Sequence, residues 1–353
     1  PARLLPQEGG SLRGEIFSLA GFVLAYAGLH VPFDLFGGYV LPRHYGRRHP
    51  PLGGFWLGLA RGVGVHSIVL FTAASTLLLA GRAGGRIGVF TAGAALVLVL
   101  LGLRIAIATA LSPLELTPSL PSRNDEPLGN APAAPMLPTF MGESDDEGFT
   151  GAVVGVVRPQ LHLLPLRWRE VLDTDAFATA VQRRQMAVQS GAWWRGRMLA
   201  IGFTLLGIAL AAAIVGDRRL ATAEGIVTFS LVFTIWSFLG LLTLPTPSRR
   251  GVEEIDQRML AAGCRGEELA RTVRLLDDLQ DRERERSALV ETIFHPVPSV
   301  QSRLRGPRAT GVHGCWDAAR TAVYVSAAGL GLLGRAVHCN CGRPSLWAFL
   351  PLD

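Results

Sequence analysis

The chain has 353 residues, 49% of them hydrophobic and only 18% charged, with a mean hydropathy of +0.32. Soluble domains usually carry about 25% charged residues, so composition points away from an ordinary soluble domain. The formal net charge is +6 and all 34 basic residues are arginine. A lysine-free chain excludes a lysine Schiff base and a phosphate-loop lysine. The arginines flank apolar runs instead of forming one stripe, which favours a membrane protein over a nucleic-acid binder.

A bilayer span needs about 20 mostly apolar residues. Five stretches meet or approach that length: Ile16 to Phe33, Gly62 to Gly81, Ile87 to Leu103, Met198 to Gly216 and Gly225 to Ser248. A sixth, Thr321 to Gly334, has only 14 uncharged residues between Arg320 and Arg335 and reads as a buried or interfacial helix. The first residue is Pro1, which suits a fragment or processed product, and the first span lacks a clear cleavage site, so it reads as retained. Arg61 and Arg104 lie near span ends, where snorkelling is expected. Arginine is denser near the spans in 41–53, 112–197 and the C-terminal region, which places these on the cytoplasmic side. The expected fold class is a mainly α membrane protein of about five transmembrane helices with a small cytoplasmic α+β domain split by two spans. A bacterial inner membrane is the expected location and the lipid bilayer the expected partner. A protein or peptide partner is possible, and no nucleic-acid motif is present.

The expected layout starts with an N-terminal three-helix membrane region (1–112) and a Pro-rich acidic linker (113–149). The linker's composition buries little and reads as disordered. Within it, Glu143, Asp145, Asp146 and Glu147 lack the ligand alternation and glycine of a calcium loop. Ala152 to Leu164 reads as two short strands, and Val171 to Val188 has helical spacing with Asp173 or Thr174 as N-cap. These lie in the first half of the soluble domain (150–197). A transmembrane hairpin (198–248) and the second half (249–305) follow. In the second half, Leu269, Val273, Leu276 and Leu279 form a core stripe, and Glu267 with Arg271 supports an exposed face. The run Arg282 to Arg286 reads as solvated. A C-terminal helix and Cys/His tail (306–353) end the chain.

The run GVVRPQLHLLPLRWREVLDTDAFATAV, Gly155 to Val181, resembles the edge strand, turn and helix start before the zinc helix in the HtpX and CAAX prenyl endopeptidase family of integral-membrane metallopeptidases. Two apolar spans follow. PTPSRRGVEEIDQRMLAAG (Pro245 to Gly263) resembles the family's SRR segment. FHPVPSVQSRL (Phe294 to Leu304) resembles its His-Pro-to-Arg segment, with Arg303 farther from His295 than is usual there. The remnants are Ser248, Arg249, Arg250, Glu254, Asp256, His295 and Pro296. The resemblance covers about residues 150–305.

The resemblance implies zinc on an HExxH helix, with two histidines one turn apart and a glutamate base. No HExxH occurs, and the matching positions carry Arg183, Arg184 and Ala187. The third-ligand glutamate is replaced by Val252, and Glu253 would point about 100° away. With the ligands and base all lost, the resemblance implies an inactive pseudopeptidase with a binding or regulatory role, and no cofactor. Arg183 or Arg184 pairing with Glu254 or Asp256 is the expected substitute for the metal. The family lays peptide substrate along the edge strand before the zinc helix, and that mode is expected to survive. Two alternatives remain: an active zinc endopeptidase with relocated ligands such as His162, His295 and Glu254, or a structural subunit of a membrane complex. His313, Cys315, His338, Cys339 and Cys341 form a further candidate metal set, weighed against plain reduced thiols in a cytoplasmic tail.

Overall fold

The computed structural model describes residues 10–47, 49–119, 137–155, 160–280, 285–304, 313–333 and 341–350. The chain divides into two compact units, one of 1–113, 201–240 and 322–348, the other of 114–200, 241–321 and 349–353.

The first unit is helical and apolar. α1 (Leu12–Leu35) is N-capped by Ser11 and runs through a π-helical turn into α2 (Leu41–His44). α3 (Leu52–Gly102) is broken at Gly85, whose φ of +56° favours glycine. A Cβ on Gly88 would lie 2.1 Å from the Ala80 carbonyl oxygen, so the chain reverses here and α3 is a hairpin of two arms. α4 (Arg104–Leu111) follows, and Arg61 donates to the Thr109 and Ala110 carbonyls at its end. α7 (Ala192–Val215) and α8 (Ala223–Thr243) supply the remaining long helices. Four stretches are long and apolar enough to cross a membrane: Leu12–His44, Leu52–Gly102, Ala192–Val215 and Ala223–Ala261. Their outward positions are also apolar, for example Leu29, Leu57, Ile87, Ile214 and Ile235, each at least 66% exposed. Helices apolar on every face suit lipid as the surrounding solvent.

Two expectations change in this unit. Arg104 does not snorkel: it is 1% exposed, donates to the Ala348 carbonyl at 2.8 Å and lies 4.7 Å from the Tyr324 ring centroid. The C-terminal region is no free tail. α13 (Ala318–Val325) is largely buried, as the short apolar run suggested, and so are Ser326, Ala327 and Leu330 of the π-helical turn after it (Ser326–Leu330), which packs against α3. His66 bonds the Ala327 carbonyl, Tyr324 donates to Leu100 and Tyr26 to Leu332. α14 (Pro344–Trp347) packs on α3 and α4.

The second unit holds a four-stranded sheet, order β1-β2-β4-β3. β1 (Glu115–Ser119) pairs antiparallel with β2 (Thr139–Glu143), β2 runs parallel to β4 (Leu161–Pro165), and β3 (Ala152–Val154) is antiparallel to β4. The two strands expected between Ala152 and Leu164 are β3 and β4. The linker reading is corrected in part, since 113–149 contributes β1 and β2; residues 120–136 lie outside the described set. β4 is interior to the sheet, not an edge, because β2 covers its other side.

α5 (Trp168–Val171) and α6 (Thr174–Gln189) follow, the latter capped by Asp173 accepting from the Ala176 amide at 3.0 Å. Met141, Leu164, Trp168, Ala176, Ala180 and Leu276 form the core between sheet, α6 and α10 (Gly266–Leu279). Leu269, Val273 and Leu276 are buried, as the stripe predicted. The ion partner of Arg271 is Asp173, not the expected Glu267. The run from Arg282 to Arg284 lies outside the described residues.

Within the first unit α7 and α8 meet at Gly207. A Cβ there would lie 2.2 Å from the Trp236 ring, which stacks on Phe203 with centroids 4.7 Å apart. Gly207→Val should therefore destabilise the detergent-solubilised protein by about 1–3 kcal/mol. Gly202→Ala, where a Cβ meets nothing within 4 Å, should not lower the unfolding temperature.

Candidate functional site

The site is built on α6, α9 (Pro245–Ala261) and α12 (Val300–Leu304), all in the second unit. α9 continues the chain past α8, but its sequence turns polar after Pro245, so one face can carry carboxylates. Asp256 is 8% exposed and doubly clamped. Arg183 Nε donates to its Oδ1 at 2.9 Å. Arg303 donates from Nε to Oδ2 at 2.8 Å and from a terminal nitrogen to Oδ1 at 3.0 Å. A fork-to-fork guanidinium–carboxylate pair is among the strongest polar contacts a protein makes. Arg183 and Asp256 are both among the residues that the resemblance singled out. Arg303 reaches Asp256 despite its wider spacing from His295.

Neighbouring positions diverge by helical geometry. Arg184 lies about 100° around α6 from Arg183. It faces the sheet, donating to the Leu163 carbonyl at 3.0 Å and to the Thr150 carbonyl, with Trp168 4.7 Å beneath its guanidinium. Of the expected alternatives, the pair seen is Arg183 with Asp256. Glu254 turns away from Asp256 and bonds Arg195 at 2.6 Å, Arg258 at 3.0 Å and the Gly314 amide at 2.8 Å. His313 lies 3.7 Å from the same carboxylate and is 71% exposed. Arg195 was not singled out in sequence; its place in the WWRGR run beside the second apolar hairpin was the available signal.

The residues present do not fit zinc. Ala187 and Val252 are buried at 0% and 2% exposure and offer no donor atom. Arg183 brings a cation, which repels a divalent metal. Asp256 spends its lone pairs on two arginines. His162 is fully buried on β4 and Glu254 is engaged by arginines, so the relocated ligand set is not assembled as expected. Among the described residues no three His, Cys, Asp or Glu side chains form a metal-sized group. Cys315 belongs to the second unit and Cys341 falls in the first, while His338 and Cys339 lie outside the described residues. Burial pushes the Cys315 thiol up from its ordinary value, which disfavours the thiolate a metal needs. Cys264 is raised likewise, first by burial and then by Glu268 and Asp256.

The other remnants are structural. Ser248 donates to Leu244 O and accepts from the Ala319 amide. Arg249 donates to the Glu291 carbonyl and to Thr246, and Arg250 is exposed. His295 and Pro296 line a cleft beside Arg303.

Sheet edges offer little room for strand addition. The outward Val153 carbonyl of β3 accepts from Trp193 Nε1 at 3.3 Å and from Arg197 at 3.1 Å. β1, the other edge, carries Pro118, which has no N–H to donate. The strand before α6, β4, lies between β2 and β3 in the sheet. No protein-family model matches the chain, and no curated protein does.

Truncating Asp256 alone removes the carboxylate that two buried guanidinium groups share. Asp256→Leu should cost about 3–5 kcal/mol of stability. Replacing the whole cluster by Arg183→Met, Asp256→Leu and Arg303→Met should be neutral or gain about 1–4 kcal/mol. Thermal unfolding in detergent compares the two variants directly.

Proposed function

We propose that this chain is a membrane-embedded, metallopeptidase-like protein that has lost catalysis and keeps a binding or regulatory role. The reading rests on one observation above others. Arg183 and Arg303 clamp Asp256 where the resemblance places a zinc site, and Ala187 and Val252 beside them carry no ligand atom. On this reading the ion cluster stands in for a metal, and it ties α6 to two of the segments that carry the resemblance. Each arm of α3 is taken as one span, giving five with α1, α7 and α8. The sheet-bearing unit is assigned to the cytoplasm of a bacterial cell, following the arginine distribution.

Metal analysis of the purified protein tests this reading. The expected result is far below one zinc per chain, with no cleavage of casein or membrane-protein substrates. One equivalent of zinc, with cleavage abolished by a chelator, would sink it. A reconstruction tests the ancestry separately. Arg183→His, Arg184→Glu, Ala187→His and Val252→Glu together rebuild the family pattern. The rebuilt chain should take up about one equivalent of zinc by tetrahedral His and carboxylate ligation. A folded reconstruction that takes up none counts against the shared framework.

A further inference from the structure

The turn between α2 and α3 joins two long apolar helices of the first unit, and it is basic. It reads Arg43, His44, Tyr45, Gly46, Arg47, with Arg48 next in sequence. Gly46 at a φ of +63° and two backbone bonds, Gly46 to Arg43 and Arg47 to Pro42, close it. Arg43, His44, Tyr45 and Arg47 are all exposed. No acidic residue occurs between Asp34 and Glu115, and Asp34 is buried, accepting from the Gly342 amide. Among the described residues no carboxylate pairs with Arg43 or Arg47. The opposite end of the same helices differs. There Arg82 faces Glu15 at 3.9 Å, Arg86 meets Asp217 at 3.1 Å and Arg219 meets Glu224 at 2.7 Å.

The turn also stands at the edge of an apolar band. Along α1 and the π-helical turn after it, exposed apolar side chains run from Phe17 through Leu24, Leu29 and Phe33 to Val40. That distance is about 35 Å by helical rise, against a hydrocarbon core of about 30 Å. Arg43 follows within one turn of Val40, at the level of the headgroups. Exposed Tyr45 beside it, and Trp56 near the start of α3, are the residue types that settle at that level.

We propose that this turn binds the phosphate of an anionic phospholipid headgroup, with Arg43 and Arg47 as the donors. A guanidinium fork matches two phosphate oxygens. A zwitterionic headgroup carries the same phosphate but adds a cation that the arginines repel. A polynucleotide offers the phosphate too, but the apolar band brings lipid to the turn. The inference rests on the membrane placement of α1 and α3 proposed above and not on the peptidase ancestry, which zinc analysis tests separately.

Thermophoresis of the full chain in nonionic detergent, titrated with dioctanoyl phosphatidylglycerol and dioctanoyl phosphatidylcholine, reads the headgroup preference. One arginine near an anionic surface contributes about fivefold, so phosphatidylglycerol should bind at least about tenfold more tightly. Raising the salt from about 0.1 M to about 0.5 M should narrow that ratio. Arg43→Gln with Arg47→Gln should bring it within about threefold. The unfolding temperature should hold, because both side chains are exposed and unpaired. Arg86→Gln with Arg219→Gln removes the same net charge from arginines that already have carboxylate partners, and should leave the ratio unchanged. Equal affinity for the two lipids, a ratio that ignores salt, or an equal drop in both double variants overturns the proposal. Displacement of phosphatidylglycerol by about 10 mM inorganic phosphate overturns it in favour of a free-phosphate site. Displacement by a short oligonucleotide overturns it in favour of nucleic acid.

Discussion

Asp256 gathers three segments of the second unit around one buried carboxylate. Three segments far apart in sequence reach it: α6 through Arg183, α12 through Arg303, and α9, which carries it. Removing two guanidinium groups and a carboxylate from water costs several kcal/mol per ion. Near-ideal geometry with both carboxylate oxygens occupied offsets that cost. The cluster therefore contributes alignment more than net stability: one carboxylate shared by two guanidinium groups fixes how the three segments meet. Two residues earlier on α9, Glu254 does the same on another face of the helix, joining Arg195 at the start of α7 to the Gly314 amide. The two carboxylates, about 200° apart around the axis, make α9 the strut to which both halves of the unit attach.

The absence of lysine takes on structural meaning beside these pairs. The fold uses what arginine alone offers. Arg61, Arg82, Arg104, Arg184, Arg195, Arg197 and Arg249 each donate to a backbone carbonyl. A guanidinium presents five donors in a planar fork and stays charged, so it can serve a carbonyl and stack on a ring together. Arg104 over Tyr324, Arg184 over Trp168 and Arg197 over Trp193 do this at 4.7, 4.7 and 5.0 Å. An ammonium in the same pockets would lose both the fork and the stacking plane. The sequence pattern of arginines beside apolar runs thus serves the interior of each unit as well as its surface.

Local signals proved the most legible. The long apolar helices, the Asp173 cap, the α10 stripe and the β3–β4 pair each follow from residues close together in sequence. The Arg183–Asp256 contact was legible too, because the resemblance singled out both residues and their charges are opposite. Long-range pairing was not. β1 and β2 lie in a proline-rich, acidic stretch with only Leu116, Phe140 and Met141 to suggest a sheet, and their register appears only once they pair. The edge assignment of β4 failed for the same reason, since β2 that covers it comes from that stretch. Arg104 looked like an interfacial residue because its partners, Tyr324 and Ala348, are more than 200 residues away. The burial of the C-terminal region was hidden in glycines. Gly37, Gly38 and Gly62 leave room for Cys341, Gly342 and Pro344, and an added Cβ would come within 2.7 Å of each.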